Sequence, residues 1–192
     1  MSFAMKYEEM RELLAKSLKP SRYQHSLGVA ETAVFLAERF GIDREQAQVA
    51  GLLHDCAREF PNEDLIQEAE KRQIAVEPVE RQMPLLLHAY VGARLVVEKY
   101  GVNDKAVEQA IWRHTVGGAQ MTELDKIIWF ADMIEPQRDY PGVEKLRELS
   151  RTASLDEMML AGLTQSIAFV LQKGGLIHPD TVIARNEILL NR

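Results

Sequence analysis

Four of the five histidines stand in apolar stretches: His25 in YQHSLGVAE, His54 in AGLLHDCA, His88 in LLLHAYVGA and His114 in AIWRHTVGG. Asp55 follows His54 directly, and Asp132 sits in IIWFADMIE. Taken singly, a histidine on an apolar helix is most often a hydrogen-bonded core residue. A lone aspartate there most often pairs with an arginine or lysine, because leaving it unpaired costs several kcal/mol. Six separate structural reasons would be needed, whereas one cluster of metal ions accounts for His25, His54, Asp55, His88, His114 and Asp132 together. Imidazole and carboxylate donors without thiolate suit Fe, Mn, Co or Zn better than copper, calcium or magnesium. Six ligands are too many for one catalytic ion that keeps open positions, but they suit two ions sharing a carboxylate. Such ions, about 3.5–4 Å apart, can generate a hydroxide and clamp the oxygens of a displacement at phosphorus. The expected chemistry is therefore phosphoryl hydrolysis. His178, in GLIHPDT after a double glycine, reads as an exposed turn residue.

A polyphosphate needs cations close to such a centre. Arg58 lies one helical turn from the His54-Asp55 pair and ranks first. Arg138 follows the Asp132 segment after the Pro136 break and ranks second. Arg113, next to His114, reads as a solvated surface charge. Tyr23, Trp112, Trp129 and Tyr140 are available to stack on a base, but each is more often core or ordinary surface.

The elements that must position these groups read as helices. Apolar residues recur at helical spacing almost throughout, with Gly and Pro between the runs and no period-two strand pattern. Tyr7 to Leu18 opens the series, and Ser21 with Gln24 predicts the start of a helix that runs to Phe40 and stops at Gly41. Asp43 with Gln46 starts the segment carrying Leu53 and His54. Further helices are expected from Pro84 to Tyr100, Asp104 to about His114, Glu123 to Glu135, Ser154 to Lys173 and from Pro179 onward, with shorter helical segments from Glu63 to Arg72 and from Val143 to Leu149. Thr115 to Gln120, with Gly117 and Gly118, is a loop. The expected fold class is all-α, a compact bundle of about eight to nine helices in a single domain spanning residues 1–192.

Composition narrows the function classes. The chain has 192 residues, 46% hydrophobic and 27% charged, enough for a packed core and unlike a disordered segment. The net charge of −6 disfavours broad nucleic-acid or anionic-membrane binding but leaves room for a small ligand. The single cysteine, Cys56, excludes an internal disulfide and a Cys-x-x-Cys zinc site, and points to a reducing compartment, the cytoplasm. MSFAMKYEEMRE turns charged before a signal-peptide core forms, and no stretch approaches about 18 consecutive apolar residues.

The order His25, His54-Asp55, His88, His114, Asp132 resembles the HD-domain superfamily of metal-dependent phosphohydrolases. Within it, the chain is similar to the YqeK-type symmetrical bis(5'-nucleosyl)-tetraphosphatases, from RYQHSLGVAETA through GLLHDCARE and LLHAYVGA to RHTVGGAQMTELDKIIWFADMIEPQRDYPGVEKLREL. The resemblance implies His25, His54, Asp55 and Asp132 on one ion, with Asp55 bridging to a second held by His88 and His114. It implies iron, divalent or mixed-valence, with manganese or cobalt as substitutes. The implied reaction is metal-dependent cleavage of diadenosine tetraphosphate into two ADP by a hydroxide shared between the ions. Asp55 and Asp132 would have catalytic roles together with Arg58, while Arg58, Thr115 and Arg138 would contact substrate. Arg58 stands where many members carry Lys, and Val116 where the subgroup commonly has a second Thr. The partner expected is a small dinucleoside polyphosphate or nucleotide, with a homodimer allowed. Other HD phosphohydrolase substrates remain open at this stage: nucleoside monophosphates, cyclic dinucleotides and guanosine tetraphosphate. So does a regulatory module that binds metal and nucleotide without turnover.

Overall fold

The structure is a computed structural model and describes residues 3–191. Eleven α-helices are present among them: α1 Tyr7–Ser17, α2 Pro20–Phe40, α3 Arg44–Leu53, α4 Leu65–Lys71, α5 Pro78–Gln82, α6 Leu87–Tyr100, α7 Lys105–Arg113, α8 Glu123–Ile134, α9 Val143–Thr152, α10 Leu155–Gln172 and α11 Pro179–Leu190. No strand occurs among the described residues, and none of these helices is long and apolar enough to cross a membrane.

The count exceeds the eight to nine expected, and the differences have local causes. Pro78 opens the short helix α5 in a stretch that carries no long apolar period. Pro84–Leu86 forms a 3₁₀ turn, so α6 begins at Leu87 rather than at Pro84. Helix α2 starts at Pro20, one residue before the expected Ser21, and no side chain caps it. Proline suits a first helical position because its φ is already helical and its missing N–H would have gone unpaired there. Asp43 and Ser154 do cap as expected, accepting from the backbone N–H of Gln46 and of Glu157. Gly41 ends α2 in the left-handed region, with φ of 71°.

Helices α2, α3, α6, α7 and α8 pack around the site. Leu52, Leu53, Ile111, Ile127, Ile128 and Phe130 are fully buried among them, each contributing about 1.5–3 kcal/mol by leaving water. Two features fix how these helices meet. A Cβ at Gly51 would stand 2.8 Å from the Ala30 Cα, so only glycine lets α3 lie this close to α2 and brings His54 within reach of His25. At the far end, Gln46 donates to the Asp104 side chain at 2.8 Å, and Asp104 also caps α7 through the N–H groups of Ala106 and Val107. With their starts tied and ten and nine residues to run, α3 and α7 travel side by side and deliver His54 and His114 at the same level.

Candidate metal centre

Each histidine has its Nδ1 held from behind. His54 Nδ1 is 2.8 Å from the Gly51 carbonyl and His114 Nδ1 is 2.7 Å from that of Ile111, while His88 Nδ1 bonds the Leu85 carbonyl. Two of these rings follow a helix end, where the last carbonyls lack partners, so each imidazole caps the turn that carries it. A carbonyl can only accept, which puts the proton on Nδ1 and leaves the Nε2 lone pair facing inward. His25 comes from the interior of α2 and has its Nδ1 3.0 Å from Glu135 Oε1 instead.

The inward atoms converge. His25 Nε2 and His54 Nε2 are 3.2 Å apart, and His88 Nε2 and His114 Nε2 are 3.1 Å apart. Facing lone pairs at that separation repel unless a proton or cation lies between them. The Asp55 carboxylate divides between the two pairs. Its Oδ2 is 3.7 Å from His25 and 3.5 Å from His54, and its Oδ1 is 3.1 Å from His88 and 3.8 Å from His114. Asp132 Oδ1 joins the first pair, 3.0 Å from His25 and 3.8 Å from His54. Separations of about 3 Å are those of donors each roughly 2.1 Å from a common ion. The chemistry of the donor set therefore fits metal, and among the described residues three groups meet the spacing: His25, His54 and Asp55; Asp55, His88 and His114; and His54, His114 and Asp132.

The electrostatics agree with anionic carboxylates beside imidazoles. Burial alone would raise the Asp55 pKa, yet His54, His114 and His88 hold it well below the ordinary carboxylate value. Asp132 is likewise held far below that range against the effect of burial, by His25, His54 and Arg138. Burial pulls the His25 pKa down, but hydrogen bonds to Asp132 and Glu135 prevail and push it up to about 9.

Around this cluster the three arginines differ. Arg22 Nη1 donates to Asp55 Oδ2 at 2.8 Å. Arg138 grips Asp132 twice, through Nε to its carbonyl at 2.7 Å and through Nη2 to Oδ1. Arg58 is half-buried in the turn just after Asp55, and its side chain makes no hydrogen bond or ion pair among the described residues. Burial and the neighbouring Arg22 both lower its pKa. Thr115 directs its hydroxyl at the second histidine pair, 3.1 Å from His114 Nε2 and 3.3 Å from His88 Nε2.

All six expected ligands are thus brought together. Other expectations are corrected. Arg113 is not a solvated charge: it donates to the fully buried Asp125 at 2.9 Å, which also takes Gln109. His178 is not an exposed turn residue: it caps α11 and its Nε2 lies 2.9 Å from the buried Glu80. Val116 is buried in the core. Trp129 lies in the core, in keeping with the expectation that these aromatics are more often core or ordinary surface, and the Tyr140 hydroxyl bonds the Met133 carbonyl. Arg22 and Glu135 were missed. Each stands three residues from a ligand, one helical turn away, and that spacing was the only available signal.

A helical bundle that brings four imidazoles and two carboxylates together forms a cluster that could hold metal ions. The HD domain family model matches residues 22–137, and the chain belongs to that family. Among its relatives is a protein of Halalkalibacterium halodurans named bis(5'-nucleosyl)-tetraphosphatase, symmetrical, 38% identical over 94% of this chain and 96% of that one. A Bacillus subtilis protein of the same name is 37% identical over 96% and 98%. A crystal structure from Clostridium acetobutylicum, described as a "predicted HD superfamily hydrolase involved in NAD metabolism", superposes with a TM-score of 0.94 at 37% identity, over 98% of this chain and all of that one.

Proposed function

We propose that this chain cleaves diadenosine tetraphosphate symmetrically into two ADP, using two metal ions. One observation carries the reading: Asp55 turns one oxygen to His25 and His54 and the other to His88 and His114. Two donor sets joined by one carboxylate suit a pair of ions, and the names of the Halalkalibacterium halodurans and Bacillus subtilis relatives supply the substrate.

His25, His54, Asp55 and Asp132 would hold one ion, and Asp55, His88 and His114 the other, with iron first and manganese or cobalt as substitutes. Bound there, the ions supply Lewis acidity, which acidifies water and draws charge from phosphoryl oxygens. The chain's own groups do the rest. Arg138 fixes the Asp132 carboxylate in place, and its Nη1, outside those bonds, is available to a phosphate. Arg58, the guanidinium without a protein partner, pairs with the bridging or departing phosphate. Thr115 offers its hydroxyl to an oxygen at the second histidine pair. Water adds to a phosphorus one removed from the nearer nucleoside, the bridging P–O bond breaks, and ADP leaves as an anion. A terminal phosphate with a second pKa near 6 is a stable leaving group, so charge neutralisation by Arg58 suffices in place of a dedicated acid. The same reading includes one domain over residues 1–192, a cytoplasmic location, and a small nucleotide rather than nucleic acid as partner, and it allows a homodimer.

The test is chromatography of the products formed by metal-loaded protein. ADP alone is expected. AMP with ATP, or no product from fully loaded protein, refutes the assignment.

A further inference from the structure

Helices α10 and α11 supply no member of the metal cluster and lie beyond the stretch matched by the HD family model, which ends at residue 137. They nonetheless hold the loop that carries Thr115. The Thr181 hydroxyl of α11 donates to the Val116 carbonyl at 2.9 Å in a buried bond, and the Gln120 N–H donates to Glu187 of the same helix at 2.6 Å. Between them, Gly117 has a φ of 77°, and a Cβ there would stand 3.1 Å from the Ala184 Cβ. The loop therefore lies directly against α11. On its other side, Trp129 Nε1 donates to the Thr115 carbonyl at 3.3 Å. That indole is seated against α10, where a Cβ at Gly162 would come 2.7 Å from its ring.

The two carbonyls belong to consecutive peptide groups, one on each side of the Val116 Cα. Each group is planar, so anchoring both leaves little rotation about Val116 and keeps Thr115 from swinging. The glycines that follow have no such preference of their own, and these tertiary bonds set the path of the chain. What they set is the place of one hydroxyl: Thr115 Oγ1 stands 3.1 Å from His114 Nε2 and 3.3 Å from His88 Nε2. Thr181 reaches this point only through the backbone, because its own hydroxyl is spent on the Val116 carbonyl.

We propose that Thr181 and Trp129 are positioning residues: they lock the backbone on both sides of Val116 so that the Thr115 hydroxyl meets a phosphoryl oxygen at the second histidine pair. Their role rests on the phosphate contact that the tetraphosphate reading gives Thr115. A hairpin that contributes no ligand thus tunes phosphate binding at the metal cluster.

Calorimetric titration of metal-loaded protein with inorganic phosphate tests it and needs no turnover. Thr115→Val should weaken phosphate about tenfold or more, the usual size for a hydrogen bond to a charged group. Thr181→Val, nearly isosteric but without the donor, should weaken it about threefold or more with metal content unchanged, and Thr181→Ser should restore it. The double variant Thr115→Val/Thr181→Val should bind no worse than Thr115→Val alone, an outcome that a merely structural effect of Thr181 would not give. Should Thr181→Val fail to fold, Trp129→Phe, which takes the donor from the Thr115 carbonyl instead, is held to the same pattern. Parental affinity in Thr181→Val, parental affinity in Thr115→Val, or additive losses in the double variant would each overturn the proposal. Absence of ADP from diadenosine tetraphosphate would instead sink the substrate assignment and leave this phosphate pattern to decide the positioning role.

Discussion

Adding a single methyl group at Gly28 tests whether the support behind His25 matters. A Cβ at this position in α2 would lie 2.6 Å from Glu135 Oε2, and ordinary contact begins near 3.4 Å, so the carboxylate must recede by about 0.8 Å. It has little freedom to do so. Oε2 accepts from the Gln137 N–H at 2.8 Å, and Oε1 holds His25 Nδ1 at 3.0 Å. Displacing a partner of this kind typically costs 10–100-fold in metal affinity, or about 1.4–2.8 kcal/mol. The helix itself gains, since alanine is about 0.5–1 kcal/mol better than glycine in a helix interior. That gain opposes the loss of a charge-assisted hydrogen bond of about 1.5–3 kcal/mol. The metal-free Gly28→Ala protein should therefore melt within a few degrees of the parent, while its metal affinity falls 10–100-fold and turnover at limiting metal falls with it. Chelator competition and thermal unfolding of the metal-free form measure the two effects separately. Parental metal affinity in Gly28→Ala would show that Glu135 does not hold His25 in its binding orientation.

His88→Ala and His114→Ala should each lose one metal equivalent and most activity with an intact helical circular-dichroism signal; unchanged metal content and turnover in both would refute a second ion. Arg58→Ala should raise KM for the tetraphosphate by about tenfold or more with metal content intact, because the removed guanidinium has no protein partner to lose; steady-state kinetics decide, and an unchanged KM rules out phosphate contact. Removing metal with a chelator should lower the melting temperature, since ions that bind only the folded form stabilise it; a calorimetric scan showing no shift would exclude the site. Phe130→Ala should cost about 3–5 kcal/mol in urea unfolding because the ring is fully buried, and a loss below 1 kcal/mol would contradict its place in the core.

The types and order of the clustered histidines and aspartates were legible in the chain because buried carboxylates and repeated histidines in apolar segments are costly without a shared cause. Helix class was equally legible, since it rests on local periodicity. So were the stop at Gly41 and the caps at Asp43 and Ser154, which rest on neighbours a few residues away. Sequence did not fix α5 or the 3₁₀ start before α6, where prolines break the apolar period.

Tertiary structure alone decided how the charged groups were shared. Arg138 and Arg58 looked alike as cations beside a ligand, but one is engaged with Asp132 and the other is free, because that depends on the path of the chain after α8 and after Asp55. Arg113 became a partner of Asp125, and His178 of Glu80, 98 positions apart in the chain. The division of Asp55 between two histidine pairs is of the same kind: it follows from how closely α2, α3, α6 and α7 approach. Local periodicity selects a helix and the face it buries, but distances between side chains on different helices arise only when those faces pack.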